Sequence, residues 1–194
     1  MTFLRSTRRV APLACAALLA LGACKDSTGS GGSRSGSVHF TYTGTDAGTY
    51  SAEGRFSESR AETTDWAFGY QDVQGGQIGL IVLANQELPG GLSNQVLLFM
   101  ENPTVGEVTC TINDVDCPVG LLLAMGVPDG QDVEPEILYS SVAGRLRITR
   151  MEDGRVVGDF SFEAEDLFGG FEQEDPAAIQ ITSGTFDVPL IQDI

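Results

Sequence analysis

The chain has 194 residues, a formal net charge of −16 at pH 7 and a mean hydropathy of +0.02. All 27 acids lie after residue 23, where they outnumber eight bases, so that part of the chain carries a net charge of −19. A surface this acidic repels phosphate backbones and anionic headgroups, which excludes nucleic-acid binding and a basic membrane-binding patch. The 157 residues from Val38 to Ile194 are enough for a single domain with an ample core.

The N-terminus has the pattern of an export signal. Arg5, Arg8 and Arg9 precede an apolar run from Val10 to Ala23, as the charged and apolar regions of a signal peptide do. As a helix this run would be about 21 Å long, which is less than the ~30 Å hydrocarbon core of a bilayer. Residues 1–23 are therefore expected to be a cleaved signal peptide rather than a membrane span.

The apolar run ends in Leu21-Gly22-Ala23-Cys24, which resembles the bacterial lipobox. The resemblance implies that Cys24 receives a lipid, that the chain is cut ahead of it, and that the lipid holds the protein at the membrane. Lys25 stands where the signal for inner-membrane retention has Asp, so we expect a lipid anchor in the outer membrane of the cell envelope. Sec export and twin-arginine export both stay open, because the pair Arg8-Arg9 lacks the rest of the twin-arginine pattern.

Residues 24–37 read CKDSTGSGGSRSGS, which is mostly Gly and Ser with nothing to bury. Such a stretch is typical of a flexible tether, and 13 residues would place the following domain about 20 Å from the lipid. We therefore divide the chain into a signal peptide (1–23), a lipidated cysteine with its tether (24–37) and one domain (38–194).

Apolar residues in the domain recur mainly at every second position, between Gly, Pro, Asn and Asp, and this pattern predicts strands. Val38, Phe40 and Tyr42 share one face of the first strand. Trp66, Phe68 and Tyr70 share one face of a later strand. Continuous apolar runs, typical of strands covered on both sides, occupy Gly79 to Ala84, Val96 to Met100 and Val119 to Met125. The third run also has helix propensity.

The last third of the chain has the clearest pattern. Leu146 and Ile148 alternate with polar residues, Asp153-Gly154 ends a turn, and Phe160 and Phe162 point inward on the next strand, which together predict a hairpin. A last strand begins with Ile179 and Ile181 and resumes, after Ser183-Gly184, with Phe186, Val188 and Leu190. The segment from Ser57 to Asp65 allows at most a short helical turn. About nine or ten strands predict an all-β fold, either an antiparallel β-sandwich or a closed β-barrel.

A family resemblance rests on this last third. Its segments are Gly144 to Thr149, Arg155 to Ala164 with the pattern Val-x-Gly-x-Phe-x-Phe, and Ile179 to Val188 with the pattern Thr-x-Gly-x-Phe. They resemble the tail of uncharacterised bacterial lipoproteins over about the last 50 residues. The resemblance supports the envelope location and the fold, and it implies no functional residue.

Cys110 and Cys117 are the two cysteines of the domain, and they flank a polar stretch that favours a turn. In an oxidising compartment this spacing predicts a disulfide that closes a hairpin. A redox-active pair is disfavoured because the spacing is not Cys-x-x-Cys, and a zinc site lacks ligands.

The sequence contains no catalytic constellation that we recognise. Its one histidine, His39, is expected to point away from the apolar face of the first strand, and no Gly-x-Ser-x-Gly, His-Glu-x-x-His or phosphate loop is present. Acids cluster at Glu163 to Asp175 and at Asp129 to Glu136, where solvated loops are expected and calcium is the alternative. Trp66, Phe68 and Tyr70 are expected in the core, with a sugar-stacking platform as the alternative.

Three hypotheses for the function follow. The leading one is a non-enzymatic envelope lipoprotein, a binding or structural module that needs no cofactor. The second is a lipocalin-like carrier of an apolar ligand, and the third is a glycosidase that uses two carboxylates. The sequence leaves the protein or small-molecule partner and the oligomeric state open.

Overall fold

The structure, a computed structural model, describes residues 35–57, 64–74, 77–114, 116–128, 134–168 and 177–191. Cys24 and the predicted signal peptide lie outside these residues. The described residues form ten strands and no helix, which confirms the predicted all-β class and the number of strands. The strands are β1 (Gly36–Gly44), β2 (Gly48–Gly54), β3 (Trp66–Gln74), β4 (Gln77–Leu88), β5 (Leu92–Glu101), β6 (Gly106–Cys110), β7 (Val119–Pro128), β8 (Ile137–Glu152), β9 (Arg155–Asp166) and β10 (Ala178–Ile191).

Seven strands close into a β-barrel, which is one of the two predicted architectures. The wall runs β3-β4-β5-β7-β8-β9-β10 and returns from β10 to β3. The closing pair is parallel and short, with Leu190 beside Gly69 and Ile191 beside Tyr70, whereas the other strand pairs are antiparallel. The apolar run of β7 therefore forms a barrel strand, not a helix.

Three further strands extend the wall. Strand β6 pairs with β8, and the hairpin β1–β2 pairs with β10 through β1. The hairpin also contacts β3 and β4 without pairing to them. Gly36 and Gly54 make this approach possible, because a Cβ on either residue would overlap with the backbone carbonyl of Ala67 or Asp65 at the start of β3.

Side chains fill the described interior of the barrel. The rings of Phe40 and Tyr50 stack at 4.8 Å, and the ring of Phe160 lies 5.8 Å from Phe40 and 6.4 Å from Phe186. All four rings are at most 3% exposed. Interdigitated rings of this kind make the hairpin β1–β2 part of the same core as β8, β9 and β10.

Two glycines on neighbouring strands make room for these rings. Gly184 of β10 is the cross-strand partner of Phe160, and Gly158 of β9 is the partner of Phe186. A Cβ on either glycine would overlap with the opposite ring. The two Gly–Phe pairs therefore pack reciprocally, and each ring covers the backbone of the facing strand.

The predicted hairpin is confirmed, and the break in the apolar pattern of the last strand has a structural cause. Asp153 and Gly154 join β8 to β9 with φ values of 52° and 66°, as a two-residue turn with two left-handed positions requires. Strand β10 is continuous, but its register shifts between Ile181 and Gly184. This bulge moves the inward positions from odd to even residue numbers, which explains the break in the apolar alternation at Ser183-Gly184.

Cys110 at the end of β6 and Cys117 ahead of β7 form the predicted disulfide, with their Cα atoms 5.8 Å apart. The prediction that it closes a hairpin is wrong, because β6 pairs with β8 and β7 pairs with β5 and β8. Replacing both cysteines by serine is expected to lower the free energy of unfolding by about 2.5 kcal/mol, since the bond restricts an eight-residue loop of the unfolded chain. Chemical denaturation of the two proteins measures this difference. An unchanged denaturation midpoint would show that the disulfide adds nothing to stability.

Candidate functional site

The predicted site residues are scattered over the barrel. The disulfide joins β6 to the segment ahead of β7, whereas His39 lies on β1 and is half-buried. His39 points away from the apolar face as expected, and its Nδ1 lies 3.0 Å from the Oγ of Ser51 on β2. Of the first acidic cluster, Glu163, Glu165 and Asp166 end β9, so for these three the expected loop is wrong, while residues 169–176 lie outside the described residues.

Residues 129–133 of the second acidic cluster also lie outside the described residues. In the described part of the chain, no group of three or more His, Cys, Asp or Glu side chains is placed to hold a metal ion. The same part contains no helix that is long and apolar enough to cross a membrane.

The outer wall of β3, β4, β5 and β7 is apolar, in addition to the inner wall. Residues on the two faces alternate along each strand, and the outward ones form a second cluster that is separate from the core. The strand register sets these outward residues in rows across the barrel. One row is Phe68, Leu83, Leu97 and Leu122, and the next row is Tyr70, Ile81 and Phe99. The prediction that β4, β5 and β7 are covered on both sides is confirmed only in part: the outward Leu83 and Leu97 are buried, whereas the outward Ile81, Phe99 and Leu122 are half-buried.

Strand β3 reverses the usual placement of large and small residues. Its inward positions, Ala67 and Gly69, are small, and Val188 and Leu190 of β10 lie 3.3 Å from where a Cβ on Gly69 would be. Its outward positions hold the large aromatic rings of Trp66, Phe68 and Tyr70. The three aromatic residues that the alternation grouped together therefore lie on the outside of the barrel wall.

Four of the outward residues are nevertheless buried. We name them the covered group: Trp66, Phe68, Leu83 and Leu97, which are 3%, 2%, 9% and 6% exposed. Phe56, which follows β2, contacts this group, and its ring centre lies 5.1 Å from Trp66 and 4.5 Å from Phe68. The covered group is thus a small second core on the outer wall.

The adjacent row on the same wall is more exposed. We name it the open row: Ile191, Tyr70, Ile81 and Phe99, which are register neighbours on β10, β3, β4 and β5. All four are half-buried and all four pack against the covered group. At about 4.8 Å per strand, the row extends roughly 14 Å around the barrel.

Acidic residues border the open row, and the four strands of the apolar outer wall contain no base. Strands β3, β4, β5 and β7 contain three acids, Asp72, Glu87 and Glu101, and no Lys, Arg or His. Asp72 and Glu101 both face Gly79, so they form the row next to the open one. Burial, and then the charge of Asp72, raises the pKa of the Tyr70 hydroxyl above its ordinary value.

Among the described residues, four arginines lie on β8 and β9, whereas Arg55 directly precedes Phe56 at the outer wall. Arg145 and Arg147 of β8 contact the carboxylate of Asp159 at 2.8 and 2.7 Å, and Arg145 also reaches Glu107 at 3.0 Å. Partial burial raises the pKa of Asp159, but hydrogen bonds from the two guanidinium groups lower it by more, so the pKa lies below its ordinary value. This wall is a surface of paired charges.

A depression of about 280 Å³ lies where β8 and β10 both bulge beside β9. Its polar side chains are Ser161, Glu163, Gln180 and Thr182, and Gly144 leaves space beside Phe162. One carboxylate among hydroxyl and amide groups provides no acid–base pair.

All four tyrosines of the chain have a raised pKa, and burial is the first cause in each. Nearby carboxylates add to it: Asp46 for Tyr42 and Tyr139, Asp65 for Tyr50 and Asp72 for Tyr70. Tyr139 also donates a hydrogen bond of 2.5 Å to Asp46. The folded state therefore favours the neutral phenols, and this stabilisation is present below pH 10 and lost as the pH rises above it.

We expect no tyrosine to ionise at its ordinary pKa of 10 in the folded protein. Absorbance near 295 nm should rise only at higher pH, together with the loss of the β-sheet circular dichroism signal. Tyrosinate formation centred on pH 10 in a protein that keeps its circular dichroism would contradict the burial of these hydroxyls.

Sequence reasoning missed Phe56 and the open row as a unit. Phe56 lies outside the alternating segments, and nothing in its neighbourhood indicates which wall it meets. Ile81 lies in the apolar run from Gly79 to Ala84, and Phe99 lies in the run from Val96 to Met100. Apolar residues on both faces of these strands are the signal by which the open row could have been found. The strand register, which places them beside Tyr70, requires the fold.

Comparisons with protein-family models, with curated proteins and with solved structures gave no match. The class of the protein is given by its fold: a closed seven-stranded β-barrel with three added strands and a second apolar cluster on its outer wall.

Proposed function

We propose that the chain is a non-enzymatic lipoprotein of the cell envelope whose barrel is a binding module, and that the open row is its binding surface. The observation that carries this proposal is the apolar outer wall, where four neighbouring side chains are half-buried rather than covered. Neighbouring apolar side chains that stay partly accessible on the surface of a domain are typical of an interaction site. The paired charges of the opposite wall give no comparable surface.

The two alternative functions have less support. A lipocalin-like carrier needs an internal cavity, and stacked rings occupy the described interior at Phe40, Tyr50, Phe160 and Phe186. A glycosidase needs two carboxyl groups about 5–10 Å apart in a cleft. The depression between the bulges contains one acid, Glu163, among its lining residues.

The anchor is tested separately, at Cys24. Replacing Cys24 by serine is expected to abolish incorporation of labelled palmitate and to move the protein from the membrane fraction to the soluble fraction. Replacing Cys15 by serine is the matched control and should change neither. Membrane retention of the Cys24→Ser protein without label would contradict a lipid anchor.

Site-specific photocross-linking in cells tests the binding surface. A photoreactive phenylalanine analogue at Tyr70 or Phe99 is expected to give one defined adduct. The same analogue at Thr185, on the wall of paired charges, should give none. Thr185 is exposed on β10 and faces outward. Equal adducts at the three positions, or none at Tyr70 and Phe99, would refute the proposed surface.

A further inference from the structure

The chemistry around the open row narrows the class of partner, if the row is the binding surface proposed above. Asp72 and Glu101 lie one row further along the same face, on strands separated by β4. At about 4.8 Å per strand, their backbones are roughly 10 Å apart. Asp65 and Glu87 lie at the opposite end of the apolar wall, where the backbone N–H of Glu87 donates to the Asp65 carboxylate at 2.7 Å. Acids therefore border the apolar surface at both ends.

This arrangement disfavours three occupants. An anionic membrane surface would be repelled by the acids and by the net charge of the chain. A second copy would bring like-charged borders together at the contact. A small apolar molecule is bound in concave sites, whereas the outer wall of a barrel is convex.

We infer that the open row binds a cationic amphipathic segment of a partner protein. Apolar side chains of the segment lie on Tyr70, Ile81 and Phe99, and its Lys or Arg residues face Asp72 and Glu101. A separation of roughly 10 Å corresponds to residues i and i+7 of a helix, which lie on the same face, so a helical segment places two cations correctly.

Titration calorimetry with a synthetic probe tests the inference. The protein is the mature chain with Cys24→Ser, and the probe is a short leucine–lysine peptide with a helical repeat. We expect saturable binding with a negative heat-capacity change, weaker at high salt. The same peptide with glutamate in place of lysine should not bind.

Two pairs of variants separate the apolar and the charged contributions. Tyr70→Ser with Phe99→Ser should weaken binding at least about tenfold, because central apolar contacts dominate such interfaces. Asp72→Asn with Glu101→Gln should weaken it roughly five- to tenfold. Glu53→Gln with Glu163→Gln is the matched control, since it removes the same charge from exposed positions of β2 and β9 and should change the affinity less than twofold.

Several results would overturn the inference. The first is that the glutamate peptide binds as tightly as the lysine peptide, and the second is that the open-row variants leave the affinity for the lysine peptide unchanged. The third is that the protein binds vesicles and not the peptide. The fourth is that the protein self-associates and the open-row variants abolish this self-association. If the lysine peptide fails to bind while cross-linking at Tyr70 and Phe99 succeeds, the surface stands and the chemistry of the partner is wrong. If cross-linking fails as well, the proposed function is wrong.

Discussion

Replacing Gly184 by alanine is expected to destabilise the barrel by about 3 kcal/mol. The added methyl group would overlap with the ring of Phe160, which cannot move away because Phe40 and Phe186 pack against it at 5.8 and 6.4 Å. Overfilling a packed core at this level costs roughly 1–3 kcal/mol, and a fixed ring places the cost at the upper end. Gly158→Ala should behave in the same way, because Phe186 covers Gly158. Urea denaturation measures both effects.

Gly79→Ala is the matched control for this prediction. Gly79 also lies within a strand, but the nearest atom to its added Cβ would be the Asp72 carbonyl oxygen at 3.8 Å. We expect its stability to change by less than about 1 kcal/mol. In a Phe160→Leu background, Gly184→Ala should cost clearly less than in the native protein, because the two residues share one space. Additive costs would show that the ring is not the cause.

The second large effect is expected in the covered group on the outer wall. Phe68→Ala should lower the free energy of unfolding by about 3–5 kcal/mol, as the loss of a buried Phe from a core does. Phe68 is 2% exposed and packs between Trp66 and Phe56. Tyr70→Ala, one row further along, should cost only about 1 kcal/mol because Tyr70 is half-buried.

Leu80→Ala is the reference for an interior position, since Leu80 lies in the barrel core and is 1% exposed. Phe68→Ala should be at least as costly as Leu80→Ala. Chemical denaturation of the three variants gives the comparison directly. If Phe68→Ala costs no more than Tyr70→Ala, the outer cluster is not a second core, and the distinction between covered and open residues fails.

The strands could be predicted because apolar and polar residues alternate along most of them, so the sequence itself shows which face of the strand is apolar. In the hairpin of β8 and β9, the alternation of Leu146 and Ile148 with arginines fixes the inward face, and Asp153-Gly154 fixes the turn. Closure of the barrel could not be predicted, because it depends on two parallel residue pairs between β10 and β3 that leave no local pattern. The choice between sandwich and barrel therefore required the structure.

The binding surface could be predicted only in part. Alternation correctly grouped Trp66, Phe68 and Tyr70 on one face of β3. Because aromatic residues at this spacing usually lie in a core, the pattern predicts inward-facing rings, whereas the rings face outward. Ala67 and Gly69 carry the opposite signal, since small residues face inward where β10 crowds the wall. The reading of β3 thus depended on its neighbour β10, which lies more than 100 residues away in sequence.

Cysteine labelling in cells tests most directly the claim that a partner covers the open row. Cys110 and Cys117 are joined in a disulfide, so a cysteine introduced at Tyr70 or at Thr185 supplies the reactive thiol of the barrel. The measurement is the rate of maleimide labelling in cells relative to that of the purified protein. We predict that this ratio is several-fold lower for Tyr70→Cys than for Thr185→Cys, because the partner shields the open row. Equal ratios at the two positions would contradict the account.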